Sequence, residues 1–144
     1  MFQIKDNVLV AKMMIFPSFI IIACLIIYRE NPEKVMIKQI ESLFTMINYI
    51  LPIIIILSLI YIYFVIKNYK DGIIITQDTH RIEYPTLLSR KQANIFNFDN
   101  SFLEKDGMYY KANFTGSSSP IIFKVSSTLV FNDIASKIRT VKNL

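Results

Sequence analysis

From Met46 to Ile66 the chain runs for about 21 residues without a charged side chain, roughly 31 Å if helical at 1.5 Å per residue. A bilayer's hydrocarbon core is about 30 Å thick, and a backbone crossing it must satisfy its own hydrogen bonds, which a helix does. The run therefore predicts a membrane span. Ile53-Ile54-Ile55-Ile56-Leu57 marks its middle, and Pro52 can bend it. Tyr61 and Tyr63 lie near its exit, where aromatic rings favour the interface.

An earlier apolar segment, Val8 to Tyr28, reads as a first span. Its uncharged part, Met13 to Tyr28, covers only about 24 Å of helix. Val8 to Lys12 makes up the length if Lys12 extends its ammonium group among the head groups. Pro17 can kink the helix near its start. Ile21-Ile22-Ala23-Cys24 also fits a lipoprotein cleavage site, but apolar sequence continues through Leu25-Ile26-Ile27 where a mature lipoprotein turns polar. Cys24 is read as a small buried apolar residue. It is the only cysteine, so no internal disulfide can form. His80 lies far away in sequence, so neither a metal site nor a Cys–His nucleophile is expected, and no cofactor.

Between the spans, Asn31 can cap a helix and Pro32 can occupy its first turn. Met36, Ile37, Ile40, Leu43 and Phe44 then follow helical spacing, with Lys34, Lys38 and Glu41 opposite. This amphipathic segment, 32–45, either lies on the membrane surface or extends the second span.

Hydrophobic residues make up 53% of the chain and charged residues 19%, and the apolar ones concentrate before Lys67. The chain is thus divided into a membrane hairpin at 1–70, with spans at about 8–28 and 46–66, and a water-facing domain at 71–144. The net charge is +5, but basic and acidic residues interleave, so no nucleic-acid partner is expected. Lys5 and Lys12 lie in the N-terminal tail and the entrance of the first span, and Lys67 and Lys70 follow the second. Between the spans, Arg29, Lys34 and Lys38 are offset by Glu30, Glu33 and Glu41. The positive-inside rule then places both termini in the cytoplasm, with a bacterial inner membrane as the expected location. Lys67, Lys70, Arg90 and Lys91 are the candidate membrane-surface contacts, each contributing about 1 kcal/mol against anionic lipid.

After Lys70 the period changes to two. Gly72 to Thr76 and His80 to Tyr84 form a predicted hairpin around Gln77-Asp78-Thr79, ended by Pro85. Further strands are expected at Gln92 to Phe98 and Ser101 to Glu104, followed by a turn at Asp106-Gly107. Met108, Tyr110, Ala112 and Phe114 alternate with Tyr109, Lys111 and Asn113. Thr115 to Pro120 reads as a loop. Ile121, Phe123 and Val125 form another inward face, and Leu129 to Phe131 a last short strand. Asn132 then caps a helix burying Ile134, Ile138 and Val141. The expected fold class is an α+β membrane protein: a helical hairpin, then a small antiparallel β-rich domain closed by a C-terminal helix.

Three pieces of Asp71 to Leu144 carry a likeness of architecture: Gly72-Ile73-Ile74-Ile75-Thr76 after the span, the polar loop Leu88-Ser89-Arg90-Lys91, and the helix start Asn132-Asp133-Ile134. With two spans before it, the domain resembles the pleckstrin-homology-like domains of small bacterial membrane proteins. Phosphoinositide-binding members of that fold place basic residues in the first hairpin loop. Here that loop carries Asp78, so headgroup recognition does not transfer to these positions.

No catalytic residue is expected. Asp99, Glu104 and Asp106 sit in turn-rich sequence, and Ser117-Ser118-Ser119 lacks a nucleophile-elbow context. Gly72, Gly107 and Gly116 are too dispersed for a phosphate loop. His80 is expected to point into or along the edge of the sheet. Phe96, Phe98, Tyr109 and Tyr110 fill a small core or form a partner surface. The expected function is a non-enzymatic membrane scaffold or accessory subunit. Its partners would be the lipid bilayer and other membrane proteins or further copies of itself. The alternatives are an immunity or exclusion protein and, in the enzyme class, a lipid-modifying enzyme relying on Asn48 and Ser58 within the second span.

Overall fold

The computed structural model describes residues 1–29, 38–76, 80–116 and 119–142. The chain forms two compact units: Met1–Lys12 with Phe64–Leu144, and Met13–Tyr63.

The second unit holds most of two long helices, α1 (Asn7–Arg29) and α2 (Lys38–Tyr69), both long and apolar enough to cross a membrane. Their apolar windows are only 17% buried. Phe16, Phe19, Ile53 and Leu57 face outward, whereas Cys24, Leu51 and Ser58 are buried. Of the amphipathic segment expected at 32–45, residues 32–37 lie outside the described residues. The backbone from Lys38 is continuous with α2.

The first unit is an antiparallel sheet with a helix. A short strand, β1 (Phe2–Ile4), comes from the extreme N-terminus. It pairs with β2 (Ile73–Thr76) in the register Phe2↔Ile75, Gln3↔Ile74 and Ile4↔Ile73. From sequence these N-terminal residues belong to the hairpin segment 1–70; in the structure they pair with β2 and are part of the domain. β3 (Arg81–Pro85), β4 (Arg90–Asp106), β5 (Tyr109–Gly116) and β6 (Pro120–Val125) follow, and the strand order is β1-β2-β3-β4-β5-β6.

Two strands were expected at Gln92–Phe98 and Ser101–Glu104. The structure has one long strand there, with register shifts between Ile95 and Asn97 and between Asn97 and Phe102. Such irregularities bend a strand without ending it. β4 thereby joins two antiparallel sheets, pairing with β3 over Arg90–Asn94 and with β5 from Ile95 to Asp106.

The Asp106-Gly107 turn forms as expected. Asp106 pairs with Tyr109, leaving Gly107 and Met108 as a two-residue loop. Gly107 has φ +62, a conformation that a Cβ disfavours and that a tight hairpin needs at its first central position.

The last strand expected at Leu129–Phe131 is instead helical. α3 runs from Thr128 to Lys142, so Asn132 is not its cap. Ser127 caps it: the Val130 backbone N–H donates to Ser127 Oγ at 3.4 Å, and the Phe131 N–H to the Ser127 carbonyl at 3.3 Å. An N-cap hydroxyl satisfies one otherwise unpaired donor, so Ser127→Ala should cost about 1 kcal/mol, readable as a lower denaturant midpoint.

The core follows the alternation. Ile73, Ile75, Ile82, Tyr84, Ala112, Phe114, Ile121, Phe123 and Val125 of the sheets bury against Ile134, Ala135 and Ile138 of α3. Phe114 stacks on Phe123 and Phe131 with ring centroids 5.6 and 5.5 Å apart. Phe2 and Ile4 pack on this cluster, and Lys137 of α3 lies over the Phe2 ring, 5.0 Å from its centroid. The N-terminal strand thus contributes side chains as well as backbone pairing.

Candidate functional site

Two polar joints in the β-domain unit hold the residues that bound the uncharged helical runs. The first is built around Asp6. One carboxylate oxygen caps α1, accepting the Leu9 N–H at 3.0 Å, and the other accepts the Ser126 N–H at 2.7 Å. Ser126 lies between β6 and α3, so one side chain ties the start of α1 to the far end of the domain's sequence. One helical turn further on, Lys12 Nζ donates to the carbonyls of Met108 at 3.1 Å and Ser126 at 3.2 Å. Lys12 had been expected to reach toward lipid head groups. It reaches the β4–β5 turn and the start of α3.

The second joint is built around Arg90. Its Nε donates to Glu83 Oε1 at 2.5 Å, and its two terminal nitrogens donate to the carbonyls of Asn68 and Gly72, each at 2.8 Å. The Asn68 carbonyl belongs to the last turn of α2, where helical carbonyls lack intrahelical partners. Asn68 Nδ2 in turn donates to the Leu87 carbonyl at 2.7 Å. The loop holding Leu87 is closed on itself: the Thr86 N–H and Oγ1 both donate to the Ser89 carbonyl, at 2.8 and 2.7 Å.

Of the four basic residues proposed as membrane contacts, the structure places Lys67 and Lys70 exposed at the end of α2, and Lys91 exposed on β4. Arg90 is different. Its side chain is only 18% exposed, and its donors are directed at protein oxygens. It acts as a clamp between α2, β2 and β3.

The Arg90 guanidinium beside Glu83 holds that carboxyl below the usual range, chiefly by hydrogen bonding and then by charge, with burial opposing. A lowered folded-state pKa means the pair's stabilisation is complete above the unfolded-state pKa and is lost as pH falls through the folded-state value. Wild type should therefore lose stability on acidification from about pH 5 downward more steeply than Glu83→Gln. Thermal melts of both proteins between neutral pH and pH 3 would show this difference. Parallel curves would mean that the pair contributes nothing.

The remaining candidates are not brought together. Glu104 and Asp106 are exposed, and Asp106 reaches Lys111 at 4.0 Å. The side chains of Phe96, Phe98 and Asp99 lie outside the described residues, as do Ser117 and Ser118. His80 is exposed and holds a left-handed conformation (φ 47) just before β3. Tyr110 packs on the core, whereas Tyr109 lies under Lys124, 4.9 Å from its ring centroid. Asn48 is exposed and Ser58 buried, about 15 Å apart along α2 by helical rise. Among the described residues, no three His, Cys, Asp or Glu side chains gather as a metal site.

Asp6, Asn68, Glu83 and Ser126 had escaped the sequence reading. The available signals were Asp6 directly before an apolar helical run, a typical N-cap position, and a Glu and an Arg flanking a short loop between strands. Comparison of the chain with protein-family models, with curated proteins and with solved structures gives no match.

Proposed function

We propose that this protein is a non-enzymatic integral membrane scaffold or accessory subunit of a membrane assembly. In this reading α1 and α2 form a hairpin in a bacterial inner membrane, and the β-domain, pleckstrin-homology-like in architecture, is its cytoplasmic interaction module. The observation that carries the reading is the pairing of β1 with β2. One strand precedes α1 and the other follows α2, so the chain must leave the domain and return to it. Two apolar helices between the paired strands accomplish this by crossing a bilayer twice. The domain is then attached through two chain connections, which suits a mount that holds position better than a single tether.

The exteriors of the helices support membrane insertion. A soluble protein rarely exposes a large contiguous apolar surface, and these windows are 17% buried. The end strand β6 supports the interaction role. It is last in the strand order and exposes Ile122, and strand edges accept partner segments through backbone hydrogen bonds. Exposed helix faces offer a second means of recruitment within the bilayer.

The test compares full-length protein with a chain truncated after Lys70, each purified in mild detergent and sized. The full-length protein should elute as part of a larger complex, and the truncated hairpin should insert but lose that complex. If the purified full-length protein instead turned over a lipid or nucleotide, and one polar substitution abolished the turnover, the scaffold reading would be wrong.

A further inference from the structure

We infer that the β-domain seats three exposed apolar side chains in the head-group region of the bilayer that holds the hairpin: the tips Leu88 and Met108 on loops, and Leu129 in the first turn of α3. This rests on the membrane reading above and adds to it a defined contact surface whose partner is lipid.

Leu88 is 76% exposed, Met108 54% and Leu129 77%. Singly, such exposure is ordinary on a protein surface. Their shared location is not. Leu88 lies in the Thr86–Ser89 loop, whose Leu87 carbonyl accepts from Asn68 in the last turn of α2. Met108 lies in the β4–β5 turn, and its own carbonyl accepts from Lys12 of α1. Leu129 lies in the first turn of α3, three residues after Ser126, whose carbonyl accepts from Lys12 and whose N–H donates to Asp6. Met108 is thus bonded to Lys12, which directly precedes the uncharged run Met13–Tyr28, while Leu88 and Leu129 lie one and three residues from carbonyls bonded to Asn68, two residues after the run Met46–Ile66, and to Lys12. If those runs lie in hydrocarbon, the three side chains lie at the level where it ends.

Two further observations fit that position. Lys67 and Lys70 are exposed at the same end of α2, which suits anionic head groups around apolar tips. The uncharged part of α1 also covers only about 24 Å of a hydrocarbon layer about 30 Å thick. Lys12, which would otherwise extend that span by reaching outward, is held by the domain. A short span is accommodated by drawing flanking groups toward the membrane, and here those groups are the loops bonded to Lys12.

Single cysteines at Leu88→Cys, Met108→Cys and Leu129→Cys, each in a Cys24→Ala background, carry an environment-sensitive fluorophore. The full-length protein is reconstituted in mixed phosphatidylcholine and phosphatidylglycerol vesicles containing lipid-borne nitroxide quenchers. Ile56→Cys reports the middle of the span. Ser119→Cys, exposed just before β6 and bonded to neither helix end in any contact described above, is the comparison position within the domain. The expected result is blue-shifted emission at all three positions, quenched by a shallow nitroxide. Ile56→Cys should be quenched by a deep one and Ser119→Cys by neither. Water-like emission at any of the three, with Ile56→Cys still quenched, overturns the lipid contact and leaves the hairpin reading standing. An unquenched Ile56→Cys overturns both.

Discussion

Ile138→Asp should unfold the β-domain. Ile138 is 2% exposed on the inner face of α3, beside Ile134 at 0%, and both belong to the cluster that the sheets close over. A carboxylate there loses its hydration and gains no partner, so the substitution belongs to the class costing about 4 kcal/mol or more. A domain of roughly 80 residues has on the order of 4–12 kcal/mol in total. The variant should therefore be digested by protease under conditions where wild type resists. Ile138→Val, which removes one methylene, should cost only about 1 kcal/mol and remain resistant. Equal resistance of Ile138→Asp and wild type would mean that α3 does not pack as described.

Gly72→Ala should detach the N-terminal strand. Gly72 has φ +65, and a Cβ there would run into the carbonyl oxygen of Ile4 and lie 2.8 Å from both the Ile4 carbonyl carbon and the Lys5 Cα. Those are backbone atoms of β1 and the residue after it, so no side-chain rotation relieves the clash. Gly107 is the control, because its φ is +62 but a Cβ there meets nothing within 4 Å. Gly107→Ala should cost about 1–2 kcal/mol from the left-handed backbone alone. Gly72→Ala should cost more, roughly 2–4 kcal/mol once displacement of β1 is added. Hydrogen exchange should show residues 2–4 losing protection in Gly72→Ala and keeping it in Gly107→Ala. Equal behaviour of the two variants would exclude close approach of β1 to Gly72.

The contrast between these residues shows how much of the protein was readable in its sequence. The helices were legible because a long run without charge, such as Met46 to Ile66, is the pattern of a helix long and apolar enough to cross a membrane. The inner faces of β5 and β6 were legible because Ala112, Phe114, Ile121, Phe123 and Val125 alternate strictly. β1 was not, since Phe2-Gln3-Ile4 is too short to show a period and its partner Ile73–Thr76 lies beyond both helices. Asp99-Asn100 looked like a turn between two strands, but register shifts absorb the irregularity within one strand. Leu129-Val130-Phe131 has strand-like composition, yet Ser127 before it caps a helix and tertiary burial of Val130 and Phe131 decides the outcome. The Glu83–Arg90 clamp becomes legible only once register is known. Glu83 pairs with Gln92 and Arg90 with Pro85, which makes Glu83 and Arg90 diagonal neighbours.

One domain is built from chain on both sides of two long apolar helices. Cysteines at Gln3→Cys and Ile74→Cys, with Cys24→Ala, test it in isolated membranes. These residues are register partners, and antiparallel partners lie about 4.5–5.5 Å apart at Cα, within the span a disulfide bridges. After mild oxidation and proteolytic cleavage between α1 and α2, the two fragments should stay joined without reductant and separate with it. Fragments that separate without reductant, from protein still inserted in the membrane, would contradict the claim.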